Sequence, residues 1–592
     1  MATEYNQAAL PGDLLHLLAQ QLSEERDFPT LYNCVVSSKQ LASAGAVNAL
    51  YRISHHAPVQ SGGSEAVSQA EQELNVQRWS ILWRTIILSA LGKTLYPYCR
   101  HLRMLDLRDL NALLEDEKFR GKISKVFFAS ELARFHFTRN TPAKSRAAVG
   151  LDRIKIINAL GEQIIQQAPL LEVLSEPTLL PMLSTALLTW TPRLGQLRRL
   201  ELFSQKALAD ETIRNLLHSH CPHLEAITIF GTNEPETDHA LASFIGGMPA
   251  DKLSHLEILG DIGVGTETCL ALNSHGKSLT TLKLRLGDEG ILALALLQSC
   301  TAVESLSVGS DKGYAVDLRG TQNDVYLEIV TWLKGCTGLK SLEVFNMTSA
   351  PQLCTPILLS HSAKLEEISI NANDDYTYVV KDHREFHEAL LEQPSLRRLQ
   401  LKADPEPPTR KDIELLVTTF SSLKGLRQLT MIRLSDYFTD DHISYVVGSL
   451  PELESLYIGG FGATDAALDS LANLKNLTTL TISSLTRFSS EGVSRFIEQL
   501  GPGNKGLGLS IESADPDYAI TEEEQEVLRE LIQVKVGGRF DYQLFRGNDL
   551  DSWHAALTAD TLRQIQMYQI SILMTPTDFN LREGLNWPRS DI

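Results

Sequence analysis

A phrase of the form Leu-x-x-Leu-x-Leu recurs from about residue 100 to residue 511. It reads at Leu102/Leu105/Leu107, Leu197/Leu200/Leu202, Leu224/Ile227/Ile229, Leu253/Leu256/Ile258 and Leu279/Leu282/Leu284. It returns at Val303/Leu306/Val308, Leu339/Leu342/Val344, Leu365/Ile368/Ile370, Leu396/Leu399/Leu401, Leu426/Leu429/Met431, Leu453/Leu456/Ile458 and Leu477/Leu480/Ile482. From Leu171 onward successive starts lie mostly 24 to 31 residues apart, with one stretch of 36. A compact domain has no use for such a period. A solenoid does, because each unit buries its apolar side only against the next, and an array of that kind presents a long binding surface.

Each unit mixes two periods. The strand phrase alternates apolar and exposed residues, and the segment after it has helical spacing: after Asp210, the residues Ile213, Leu216 and Leu217 fall on one helical face. Asp210 is expected to cap that helix by accepting a first-turn N–H. Similar starts stand at Thr237-Asp238, Asp288-Glu289, Thr439-Asp440, Thr464-Asp465 and Ser489-Ser490. Cys221, Cys300 and Cys336 each lie three residues before the first apolar strand position, and Pro222, Pro394 and Pro451 lie two before it. This pattern resembles the leucine-rich-repeat family, in the subfamily whose units read D-x-x-L-x-x-L-x-x-x-C-P-x-L-x-x-L-x-L. The resemblance implies an α/β fold: a leucine-rich-repeat solenoid with a curved parallel sheet inside and helices outside. About fifteen strands roughly 4.8 Å apart would then line one face.

The sequence departs from the family at one place. Many such repeats carry Asn three residues after the last strand position, where its side chain bonds neighbouring backbone. Here the position holds Gln205, Thr232, Gly287, Asp311, Met347, Asn373 and Asp404, so only Asn373 fits. Residues 139–149, 311–323, 371–382 and 404–410 read as loop insertions.

Four segments follow from these periods. Residues 1–57 are helical in pattern, residues 58–98 hold a polar linker and a helical N-terminal cap, 99–511 form the solenoid, and 512–592 form a C-terminal cap. Trp79, Leu82, Trp83, Ile86 and Ile87 make the apolar face of the first cap. Thr521 begins a capped helix, and 538–545 reads as a strand. Terminal caps are expected because an open solenoid end exposes core.

The first segment suggests a task. Leu10-Pro11 opens a helix, where the missing N–H of proline is not needed. Leu14, Leu17, Leu18 and Leu22 then make an apolar stripe, and a second short helix carries Leu31, Cys34 and Val35. Fewer than about 60 residues with this much apolar surface benefit from a partner helix. The arrangement resembles an F-box: Leu-Pro, a leucine stripe, a break, Leu31 to Val36, the Ser38-Lys39 stretch and Leu50-Tyr51. Asp13 stands where the family commonly has Glu, and no Trp follows Lys39. The resemblance implies that Leu10, Pro11, Leu14, Leu15, Leu17, Leu18, Leu22, Leu31 and Val35 bind a Skp adaptor and, through it, a cullin ligase core. An F-box joined to leucine-rich repeats is the layout of a substrate receptor of a cullin-RING ubiquitin ligase, and the irregular units and acidic loops look similar to fungal members. The competing reading is a plain repeat scaffold or inhibitor whose first helices are only a cap.

On the repeat face, exposed strand positions give Phe203, Phe230, Arg285, Phe345, Arg398, Lys402 and Tyr457 as candidates for holding a protein substrate. Aromatic residues and arginine are frequent anchors at interfaces, and Arg398 with Lys402 suits a phosphate or an acidic peptide.

Charge and composition narrow the rest. A net charge of −19 repels nucleic acid and anionic membranes alike. The seven scattered cysteines, the lack of a basic-then-apolar start and the lack of an apolar run near ~20 residues point to a cytoplasmic or nuclear chain with reduced thiols. His218, His220, Cys221 and His223 crowd one helix end, but Cys221 occupies a repeat position expected to be buried, which disfavours zinc. The glycine-rich stretch 501–506 lacks the Ser/Thr that follows Lys in a phosphate loop, and 263–265 is weaker still. No catalytic set, metal site or cofactor site is expected.

Overall fold

The computed structural model describes residues 11–24, 27–42, 69–139, 150–177, 180–231, 237–260, 263–310, 317–360, 363–370, 377–404, 408–483 and 485–545. The chain divides into two compact units, Met1–Asn346 and Met347–Ile592. In the first unit, strands β1 (Met104–Asp106), β2 (Val173–Ser175), β3 (Arg199–Leu202), β4 (Ala226–Ile229), β5 (His255–Ile258), β6 (Thr281–Leu286), β7 (Ser305–Ser310) and β8 (Ser341–Phe345) lie in sequence order, each parallel to the next. The second unit repeats the scheme with β9 (Glu367–Ile370), β10 (Arg398–Lys402), β11 (Gln428–Ile432), β12 (Ser455–Ile458), β13 (Thr479–Ile482), β14 (Gly508–Ala514) and β15 (Arg539–Leu544). Both are α/β leucine-rich-repeat solenoid arrays.

The recurring phrase sets the register. Leu200 pairs with Ile227, then Leu256, Leu282, Leu306 and Leu342, and all six are buried. A second column, Leu202, Ile229, Ile258, Leu284, Val308 and Val344, runs beside it and is also buried. Burying each such side chain contributes about 1.5–3 kcal/mol, and a slip of one residue would turn both columns outward. Helices between strands close the other side of this core. In Glu211–His220, Ile213 and Leu217 are buried, and Asp210 caps the start by accepting the N–H groups of Thr212 at 2.7 Å and Ile213 at 3.3 Å.

The polar ladder missing after the strands has a counterpart at the helix starts of the second unit. Asp440 accepts from the N–H and hydroxyl of Thr464, at 2.9 and 2.6 Å, and Asp465 accepts likewise from Ser489 at the same two distances. Ser490 donates to Glu524 at 2.7 Å. In the first unit Asp238 does the same for the helix Thr266–Leu272, accepting from Gly265, Glu267 and Thr268. The expected cap pairs therefore split their work: Thr464 and Ser489 cap their own helices, while the following carboxylate or hydroxyl reaches the next repeat. Asn373 lies outside the described residues, as do 140–149, 311–316, 371–376 and 405–407 of the expected insertions.

One strand reading is corrected. Leu107 is not a third strand position. Asp106 accepts the Arg108 N–H at 2.9 Å and starts the helix Leu107–Glu115 there. At the other end β14 continues past Ile511 to Ala514, and the strand expected over 538–545 is β15, which pairs with it in parallel. Between them, Thr521 and Glu524 form a reciprocal capping box on Glu522–Val536.

Ahead of β1, the helix Gln69–Ala90 packs on the helices Leu107–Glu115, Lys122–Phe127 and Arg153–Ile165, burying Trp79, Trp83, Ile86 and Ile87, with Leu82 half-buried. Trp79 and Trp83 both donate their indole N–H to one carboxylate oxygen of buried Asp109, at 2.8 and 2.6 Å. Further toward the N-terminus are the helices Gly12–Glu24 and Phe28–Ser37 and the short turn Lys39–Leu41. No described helix is long and apolar enough to cross a membrane.

Candidate functional site

Asp27 and Pro29 explain why the N-terminal segment breaks into two helices. The Asp27 carboxylate accepts the Thr30 N–H at 3.1 Å, and Pro29 sits in the first turn, where no N–H is needed. Ala19 and Leu31 are buried between the helices, with Leu22, Cys34 and Val35 packed around them. Leu15 is buried as well. On the other side Leu14, Leu17 and Leu18 are 51%, 59% and 46% exposed, and Tyr32 and Val36 on the second helix are 59% and 61% exposed. The residues read as one adaptor-binding set thus fall into two groups. Leu22, Leu31 and Val35 hold the helix pair together and Leu15 is buried, while Leu14, Leu17 and Leu18 are exposed, as are Tyr32 and Val36, which sequence reasoning did not single out. Pro11 is exposed. Leu10, Leu50 and Tyr51 lie outside the described residues.

The open strand face of the first unit is organised in rows. The middle row, Asp106, Ser175, Glu201, Thr228, Glu257, Lys283, Ser307 and Glu343, is in register from β1 to β8. Its members satisfy one another: Ser175 donates to Glu201 at 2.8 Å, Lys283 pairs with Glu257 at 2.7 Å, and Ser307 donates to Glu343 at 2.6 Å. Contact with His255, and then the Lys283 ammonium, hold the Glu257 carboxyl down to about 2 against the opposing effect of burial. Arg108 forks onto Asp106 through two bonds of 3.0 Å and reaches Glu201 at 2.7 Å.

Two residues beyond that row stand the side chains expected to meet a partner. Phe203, Phe230 and Phe345 are half-buried and Arg285 is exposed. The Arg108 guanidinium lies over Phe230, 5.3 Å from its centroid, and Arg285 lies over Phe345 at 5.4 Å. Exposed Leu259 stands one residue past the end of β5, as Phe230 does past β4. The result is a band of aromatic, aliphatic and guanidinium surface beside a hydrogen-bonded polar row. Arg108 was not singled out from sequence; the helix start at Leu107 is what brings it to this face. Behind Phe203, buried Glu176 accepts the N–H groups of Leu183 at 2.7 Å and Phe203 at 2.8 Å; burial nevertheless pushes its carboxyl up to about 7.

In the second unit Arg398 is bracketed rather than open. It pairs with Glu367 at 2.7 Å and donates to Gln428 at 2.6 Å, which leaves little of its fork for a phosphate. Lys402, half-buried at the end of the same strand, is on the same side. Tyr457 donates its hydroxyl to Glu512 at 3.3 Å, and burial, reinforced by that carboxylate, pushes its hydroxyl up to about 12.

The remaining clusters have structural employment. His218 stacks on Phe244 at 5.0 Å with Nε2 against the Phe244 carbonyl at 3.0 Å. Cys221 is buried, and burial pushes its thiol up to about 12. Asn504, within the glycine-rich turn, donates to the carbonyls of Leu474 and Leu477, both at 2.9 Å, and so closes the end of the preceding repeat.

No family profile matches the chain, and no curated protein does. Among solved structures, the chain is similar to one from a crystal structure of the Rad7 and Elc1 complex in yeast, with 15% identity, a TM-score of 0.38, and coverage of 77% of this chain and 97% of that one. It is also similar to an internalin, InlF, from Listeria monocytogenes str. 4b F2365, with 16% identity, a TM-score of 0.30, and coverage of 56% of this chain and 90% of that one.

Proposed function

We propose that this protein is a non-catalytic substrate-recognition subunit of an SCF-type ubiquitin ligase, working in the cytoplasm or nucleus. In this reading the outward side of the helices Gly12–Glu24 and Phe28–Ser37 holds the Skp adaptor, which joins the chain to a cullin core. The strand face of the repeats holds a protein substrate. The chain would contribute proximity: a substrate held near a charged ubiquitin carrier presents its lysines at high effective concentration.

The observation that carries the proposal is the sorting of the N-terminal leucines. Two helices this short are marginal alone, yet among the described side chains they bury Leu15, Ala19 and Leu31 and leave Leu14, Leu17, Leu18, Tyr32 and Val36 exposed on neighbouring helices. A patch of that kind is what an amphipathic partner helix covers. The band of Phe203, Phe230, Arg285 and Phe345 has the aromatic and arginine composition of an interface centre.

Co-expression of the full chain with a Skp adaptor tests the reading. A stoichiometric complex is expected for the wild type. Leu14→Asp combined with Leu18→Asp should abolish it while leaving thermal unfolding unchanged, because both side chains already face water. Failure of the wild type to co-purify would favour the plain scaffold or inhibitor.

A further inference from the structure

After β11 ends at Ile432, the chain turns through Arg433, whose φ of 62° lies in the left-handed region. The loop then folds back over β12. Ser435 fastens it there: its hydroxyl accepts the Gly459 N–H at 2.7 Å and donates to the Met431 carbonyl at 3.1 Å. The next residue, Asp436, is thereby held against Gly459. In the alternation of β12, Leu456 and Ile458 enter the core, so Tyr457 and Gly459 belong to the open side of the sheet. The missing side chain of Gly459 makes the room, since a Cβ there would lie 2.7 Å from Asp436 Oδ1.

Asp436 keeps 8% of its surface and has no hydrogen-bond or ion-pair partner among the described residues. Such an arrangement is costly, and buried carboxylates ordinarily come with a donor or a counter-charge. Here the surroundings are half-open and suited to a cation. Tyr457 and Glu512, joined through the tyrosine hydroxyl at 3.3 Å, are each half-buried, as is Tyr437 beside Asp436. Asp436 raises the pKa of both tyrosines through space, and Arg433 acts on Asp436 without forming an ion pair with it.

We propose that Asp436 is the anchor of a cation slot on the open face of the second unit, one that receives the guanidinium or ammonium of a basic side chain on a bound protein. The assignment rests on the reading that the repeat face binds protein, and it adds the chemical class of the residue read there. The carboxylate supplies the acceptor pair, Tyr437 and Tyr457 stand close enough to feel its charge, and Glu512, bonded to the Tyr457 hydroxyl, supplies a second negative charge. The overall charge of −19 draws a basic partner toward the molecule.

The slot has a pH signature. Burial pushes the Asp436 carboxyl up to about 7, so near pH 6 a bound cation must displace a proton. Affinity should therefore climb as pH rises through about 7 and level off above it. The other charged or titratable groups facing the site are Arg433, Glu512, Tyr437 and Tyr457, and burial pushes both tyrosine hydroxyls up to about 12, far above that window.

The test is selection of a randomised nine-residue peptide library, at pH 8, on the full chain and on its Asp436→Asn variant. The wild type should enrich Arg or Lys at one peptide position, and the variant should not. A selected peptide should bind the variant, and its own Arg→Gln or Lys→Gln version should bind the wild type, at least tenfold more weakly. Wild-type affinity should fall about tenfold from pH 8 to pH 6 and stay flat in the variant. Gly459→Ala, which crowds the slot without touching the charge, should also weaken binding. Selection without basic residues, equal enrichment by the variant, no selection at all, or a flat wild-type pH profile would each overturn the assignment. Asp436→Asn removes a costly buried charge, so its unfolding temperature should not fall. It should also leave adaptor co-purification intact, so a failed slot and a failed ligase reading remain distinguishable.

Discussion

Arg285 lies over the ring of Phe345, 5.4 Å from its centroid, although one whole strand stands between them. Gly309 is that strand's residue in register with both, and a Cβ there would run into the Phe345 ring and carbonyl. Overpacking of this kind costs about 1–3 kcal/mol. Gly309→Ala should therefore lower stability by that amount in chemical denaturation and displace the ring. Arg285→Ala should cost under about 1 kcal/mol, the usual worth of an exposed cation–ring contact.

Asp109 takes two indole N–H groups on one oxygen. Asp109→Ala would strand both donors in the interior between the helices Gln69–Ala90 and Leu107–Glu115. Each unsatisfied buried donor costs about 1–3 kcal/mol, so a loss on the order of 3 kcal/mol is expected. A red shift of tryptophan emission should accompany it. Asp109→Asn, which keeps an acceptor, should recover much of the loss.

His387 is fully buried with Nε2 3.4 Å from the Tyr378 hydroxyl. Burial first, and the nearby His383 second, push its pKa down to about 3, against the opposing pull of Asp412. The unfolded chain binds this proton below about 6.5 and the folded chain does not. Stability from this group is therefore complete above that pH and lost as pH falls, by roughly 1.4 kcal/mol per unit at the steepest. The difference in unfolding free energy between wild type and His387→Gln should shrink between pH 6.5 and 4.5. A constant difference would remove His387 from the acid response.

Cys99, Cys221, Cys269, Cys300, Cys336 and Cys354 are buried, and burial pushes each thiol up to about 12. Reaction needs thiolate and access, so brief treatment of the native chain with iodoacetamide should modify only Cys34, the half-buried thiol of the N-terminal helix pair. Peptide mass mapping would show it. Labelling of Cys300 or Cys336 without denaturant would contradict the packing.

The repeat fold was legible because its signal is redundant: each strand restates the same spacing, so Leu200, Leu256, Leu342 and Leu399 confirm one another. The errors fell where one local contact outweighed the pattern. Leu107 fits the strand phrase, but the Asp106 carboxylate caps the next turn and makes that residue helical. The site was less legible. Exposure of Leu14, Leu17 and Leu18 follows from helical periodicity, whereas the inward turn of Leu15 and Leu31 depends on how two helices meet. Arg398 looked available because Glu367 and Gln428, its partners, lie a repeat away in sequence. Asp436 gives no sequence signal, since its setting depends on a glycine 23 positions later and on the hydroxyl of Ser435.

The helix-start bonds of Asp440 and Asp465 tie neighbouring repeats of the second unit together through groups that also reach water. When one of these helices unravels, the Thr464 or Ser489 N–H and hydroxyl at the start of the next helix exchange a carboxylate for solvent. The loss therefore reaches the C-terminal neighbour as a loosened helix start and not as a stranded polar group.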